Sequence, residues 1–142
     1  MKKLFVGVLC VALSLSVQGK EVNMTSPDGK YQFTLSDSGG QLHYSLTWNG
    51  KQTVKPSLLG INANVEWRDG VEIGTVDSSR KDTIWHPVYG ERSEIKDCYH
   101  AWKIVVNRQN GRDKLILDVR AYDEGIAFRY HFPGGQYLKI TD

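Results

Sequence analysis

The sequence predicts an all-β fold, an antiparallel β-sandwich, and three observations carry that reading. Apolar residues recur with period two in successive windows, so each window reads as a strand with one buried face. Pairs rich in Gly, Asn and Asp fall where the windows end, which suits short hairpins. Few windows carry helical spacing. Strands joined by short turns, without long helical crossovers, imply antiparallel sheets packed face to face.

Residues 1–19 stand apart from this pattern. Lys2-Lys3 precedes an uncharged apolar run from Leu4 to Val17, and small or polar residues follow before Lys20. This is the form of a secretory signal peptide. The run is roughly 14 residues, short of the ~18 that would span a bilayer. Cys10 lies inside the run rather than behind it, so no lipid attachment is expected. The chain is therefore expected to be exported, to the periplasm or beyond in a bacterium, with a mature start near Lys20.

Losing this leader removes Lys2 and Lys3 and reduces the formal +2 charge to a balance of 16 basic and 16 acidic residues. No net positive field remains to attract nucleic acid or an anionic membrane. Cys98 is then the lone cysteine, so no intrachain disulfide is expected in spite of the oxidising route. About 120 mature residues suffice for one hydrophobic core and not for two.

Along the mature chain, Tyr31, Phe33 and Leu35 share one face of a first strand, and Leu42, Tyr44, Leu46 and Trp48 one face of the next. The alternation returns at Trp102, Ile104 and Val106, at Leu115, Leu117, Val119 and Ala121, and at Ile126, Phe128, Tyr130 and Phe132. Asp28-Gly29, Asn49-Gly50, Asp69-Gly70, Asn110-Gly111, Glu124-Gly125 and Pro133-Gly134-Gly135 mark the turns. No repeat or linker divides residues 20–142, which read as one domain. The last segment, "GQYLKITD", has the alternation of a further strand with Tyr137 and one of Leu138 and Ile140 turned inward, so the domain is expected to continue past Asp142.

The stretch "DTIWHPVYGERSEIKDCYHAW", Asp82 to Trp102, concentrates chemistry-bearing side chains. The segment Asp82 to Glu91 contains Pro87 and Gly90 and is expected to be an irregular excursion between strands. His43, His86, His100 and His131 form no metal-ligand spacing with one another or with Cys98. His43 and His131 are expected on the polar faces of strands. Cys98 and His100 share a strand face, but a structural cysteine is the expected role. Glycoside hydrolysis would need two carboxylates across one cleft. Glu91, Glu94 and Asp97 supply no identifiable pair, and Asp123 and Glu124 read as turn residues before Gly125. Trp85, Tyr89, Tyr99 and Trp102 could form a platform for pyranose rings, although core packing is the commoner use of such side chains. Within the excursion, Trp85, Tyr89 and Glu91 are the candidates for contact with another domain or with sugar, and docking is the favoured reading.

Taken in order and spacing, "SPDGKYQFTLS" (26–36), "LTWNGKQTVKPSLLGI" (46–61), "WHPVYGERSEIKDCY" (85–99) and "RAYDEGIAFRYHFP" (120–133) resemble the N-terminal domain of glycoside hydrolase family 97. The resemblance covers essentially the whole mature chain. It implies an N-terminal β-supersandwich of the galactose-mutarotase-like kind, of which residues 20–142 supply about half of the strands, followed by a catalytic (β/α)₈ barrel and a small β-domain. It further implies an exported bacterial enzyme, an α-glucosidase first and an α-galactosidase second, with calcium in its active site. The family's catalytic carboxylates and calcium ligands lie later in the chain, so no catalytic or metal residue is carried over. This segment is expected to be non-catalytic and to bind no calcium by itself. One departure is local: relatives tend to have Asn-Tyr-Asn-Glu where this chain has Cys98-Tyr99-His100-Ala101. The rival reading is a free-standing carbohydrate-binding module, since a sandwich does not fix function.

Overall fold

The computed structural model describes residues 19–109, 111, 113–134 and 139–140. Residues 1–18 of the expected signal peptide, Asn110, Gly135 and the Tyr137-Leu138 part of the last expected strand lie outside the described residues. The described chain forms two four-stranded antiparallel sheets, each a simple meander. The first holds β1 (Glu21–Thr25), β2 (Tyr31–Ser36), β3 (Leu42–Trp48) and β4 (Lys51–Leu59). The second holds β5 (Val71–Trp85), β6 (Ile95–Arg108), β7 (Lys114–Tyr122) and β8 (Gly125–His131).

The hairpins follow from local chemistry. Asn49 and Gly50 both take positive φ, 48° and 74°, which is the twist a two-residue hairpin needs, and Trp48 pairs with Lys51 across it. Asp123 and Glu124 join β7 to β8 in the same short way, with Tyr122 opposite Gly125.

Alternation then decides what is buried. Met24, Phe33, Leu35 and Leu42 of the first sheet meet Val71, Ile73, Ile104, Val106, Leu115, Leu117 and Val119 of the second, and all are almost fully buried. Trp67, from the β4–β5 connection, closes one end of this core against Phe132, with ring centroids 6.1 Å apart. Each such side chain contributes about 1.5–3 kcal/mol on leaving water. Polar links tie the layers at their margins. Asp37 Oδ2 accepts the backbone N–H of Ile73 at 2.7 Å, and Asp123 Oδ1 accepts that of Asp28 at 2.8 Å.

Three strands escaped the reading by alternation, and the irregular excursion was misplaced. β1 is short. β4 is an edge strand that accepts Pro56 and exposes most of both faces, so it has no apolar period. β5 runs through Trp85, and its second half is exposed because no described residue covers either face. Asp82 to Trp85 are therefore paired residues, opposite Cys98 to Ile95, and the irregular segment is His86 to Glu94. β6 accordingly begins at Ile95, seven residues before the predicted Trp102. A bulge in β5 between Ile73 and Val76 falls at Gly74, where a β-carbon would lie 2.5 Å from the Asn107 side chain. Ile140 is not turned inward. It is 65% exposed and makes an isolated antiparallel bridge with Ala63.

Candidate functional site

The β5–β6 hairpin carries the residues singled out from the sequence. Trp85 ends β5 opposite Ile95 and is 51% exposed, and Tyr89, in the loop beyond, is 92% exposed. Ile84 and Val88 are exposed beside them, so the tip is an apolar patch that no described residue covers. Glu91 is exposed at the tip. Its neighbour Glu94 reaches His86 at 3.3 Å. Among the described residues no three His, Cys, Asp or Glu side chains converge as a metal would require.

The four aromatics do not form one platform. Strand parity sends Tyr99 to the outer face of the second sheet and Trp102 to the inner face, where its indole lies 5.9 Å from the His100 ring. Trp85 shares the outer face with Tyr99 but sits two rows further along the hairpin, since Lys81 pairs with Tyr99 and Trp85 with Ile95. The Tyr99 ring already has close neighbours: the Arg120 guanidinium at 4.7 Å, the Tyr122 ring at 5.1 Å and the Lys81 ammonium at 5.8 Å.

Cys98 and His100 do share a face, and neither is poised for nucleophilic chemistry. Burial pushes the Cys98 thiol up from its ordinary value, and Asp82, its cross-strand partner, adds to that rise. His100 is occupied at both ring nitrogens, by Arg80 and by the Thr25 carbonyl, each at 2.9 Å.

The outer face of the second sheet holds a feature that sequence reasoning missed. A groove of about 860 Å³ crosses β5 to β8. Its floor is the row Ser79, Ala101, Arg120 and Ala127, three of them small. Along one side runs the row Asp77, Lys103, Asp118 and Arg129, charges of alternating sign on four neighbouring strands. Arg129 Nε donates to Asp118 Oδ2 at 2.9 Å. On the other side stand Lys81, Tyr99 and Tyr122, with Lys81 paired to Asp97 at 2.7 Å. Arg120 is laid back over Tyr99 and donates to the Tyr122 hydroxyl at 3.4 Å, which leaves the floor open. Each of these residues sits at an alternate position of its strand, so the outward set was readable; its assembly into rows was not.

Comparison with known proteins places these features in a family. Residues 24–142 match the family described as glycosyl-hydrolase 97 N-terminal. A retaining alpha-galactosidase of Bacteroides thetaiotaomicron is 31% identical over 99% of this chain and 21% of its own length. The solved structure of a glycoside hydrolase family 97 enzyme from Pseudoalteromonas sp. strain K8, in complex with acarbose, superposes with a TM-score of 0.78 at 24% identity, over 84% of this chain and 19% of that one. A beta-arabinopyranosidase crystal structure gives a TM-score of 0.75 at 24% identity, over 84% of this chain and 20% of that one. These two structures bear on the fold alone. The chain spans about a fifth of the length of the relatives it matches.

Proposed function

Starting from a chain that belongs to the glycosyl-hydrolase 97 N-terminal family, we propose that it is the support domain of a longer, exported bacterial enzyme that cleaves α-glycosidic bonds. The family match over residues 24–142 carries this reading. A non-catalytic role for the segment is part of this reading: Glu94 is held by His86 at 3.3 Å, and the groove carboxylates Asp77 and Asp118 stand in one row with Lys103 and Arg129 rather than across the groove from each other. The acid and the nucleophile or base that such a reaction needs would come from the rest of the parent polypeptide. So would the ligands of the calcium that the family resemblance implies.

On this reading the exposed tip, with Trp85, Tyr89 and Glu91, docks against the parent's catalytic barrel. Apolar side chains as exposed as Val88 and Tyr89 gain from burial at such a contact, and the polar Glu91 and the His86–Glu94 pair fit its rim. Sequence resemblance puts α-glucosides first as substrate. The second reading, α-galactosides, is favoured by the relative named as a retaining alpha-galactosidase.

The test is to purify the mature segment and the full-length parent side by side and assay both with chromogenic aryl α-glucoside and α-galactoside, with and without calcium. Turnover confined to the parent supports the reading, and the preferred substrate decides between the two sugars. Glycosidase barriers are lowered by ~8 kcal/mol or more, so even a poor site would rise above background. Calcium-dependent turnover by the segment alone that is abolished by Glu91→Gln would overturn the supporting role.

A further inference from the structure

We propose that the groove across the outer face of β5–β8 is a saccharide-binding site, a seat for a neutral oligosaccharide that is separate from the place of bond cleavage. The proposal rests on the glycosidase reading for its choice of sugar and on the groove itself for everything else.

The shape comes from register. Rows on one face of a strand are two residues apart, roughly 7 Å, so the Asp77–Arg129 row and the Lys81–Tyr122 row stand about 14 Å from each other with the small-residue row between them. Four strands at ~4.8 Å spacing make the trench roughly 14 Å long. Ala101 and Ala127 leave space that any longer side chain would fill. The trench therefore takes an extended, ring-sized ligand lying across the strands.

The chemistry points to hydroxyl groups. Asp77, Lys103, Asp118 and Arg129 alternate acceptor, donor, acceptor, donor, with no net charge along the row. A sugar hydroxyl both donates and accepts, so adjacent hydroxyls are satisfied by adjacent members of such a row. Hydrogen bonds to charged partners are the stronger kind. An apolar occupant would strip water from this row and return nothing. An anionic occupant would meet the two carboxylates. Tyr99 is already covered by Arg120 and Tyr122, so this is a hydrogen-bonding seat rather than a stacking one.

The experiment uses the full-length parent in affinity electrophoresis, through gels containing soluble starch or guar galactomannan. Asp118→Asn with Arg129→Gln removes the centre of the charged row, and Ala101→Trp fills the floor. Both are expected to weaken retention by about fivefold or more, the scale of one or two lost hydrogen bonds. Lys55→Gln, on edge strand β4, is expected to keep it. Turnover of a small aryl α-glycoside, too short to reach a second site, is expected to persist in the groove variants. Wild-type protein retained by neither polymer, or groove variants retained as well as wild type, would overturn the proposal. So would a joint fall in retention, thermal midpoint and aryl-glycoside turnover, which would make the groove a contact with the rest of the parent. A parent that turns over neither aryl glycoside sinks the glycosidase reading, while retention still reports on the groove.

Discussion

His100 of β6 is bonded through Nδ1 to the carbonyl of Thr25 at the end of β1, at 2.9 Å, and this contact ties the two sheets together. The tautomer follows from the other nitrogen. Arg80 Nε–H can only donate, so His100 Nε2 accepts at 2.9 Å and the ring proton sits on Nδ1, facing Thr25. Replacing His100 with Phe removes both bonds while keeping a ring in place. The urea midpoint of the mature segment is expected to fall by an amount worth about 1–2 kcal/mol, and an unchanged midpoint would show that the link carries no stability.

Asp28 should contribute to acid sensitivity. The Ser26 hydroxyl, then the side chain and backbone N–H of Lys30, hold its carboxyl well below the usual carboxylate range. A depressed folded-state value means that the unfolded chain binds the proton first. The contribution is therefore present at neutral pH and is lost as pH falls below about 4, the ordinary carboxylate value, toward the folded one. Urea unfolding of wild type and Asp28→Asn at pH 7 and pH 3 checks this. The variant is expected to lose less stability between the two pH values than wild type does.

Cys98 is expected to be a slow nucleophile. With burial and Asp82 both raising its thiol, the thiolate is scarce at neutral pH. Iodoacetamide at pH 7.5 should alkylate native protein more slowly than protein in urea, and Asp82→Asn should narrow the difference. Native labelling as fast as that of the unfolded chain would contradict the assignment.

Trp85 and Tyr89 have little to hold in the segment itself, being 51% and 92% exposed. Alanine at both positions is expected to change the segment's unfolding free energy by no more than about 0.5 kcal/mol, the usual range for surface substitutions. In the full-length parent the same pair should lower the thermal midpoint or the turnover, because the proposed docking contact is lost. Collapse of the segment would instead make them core residues.

Much of the fold is written in local pattern. The alternation of Phe33 and Leu35, or of Leu115, Leu117 and Val119, states which side of a strand is wet, because successive side chains point to opposite faces whatever the strand pairs with. Asn49-Gly50 likewise states a hairpin through backbone sterics alone. The sequence motifs also sufficed to place the chain in its family, since order and spacing of residues need no coordinates. Only the tertiary structure decided what depends on partners distant in sequence. The second half of β5 has no apolar period to announce it and exists through its pairing with β6, so Asp82 to Trp85 read as a loop. Register, set by long-range pairing, put Trp85 two rows from Tyr99 and lined up Asp77, Lys103, Asp118 and Arg129, which lie as far as 52 positions apart in the chain. Parity is a property of each strand alone, whereas a row across four strands is a property of how they are stacked, and no single segment encodes it.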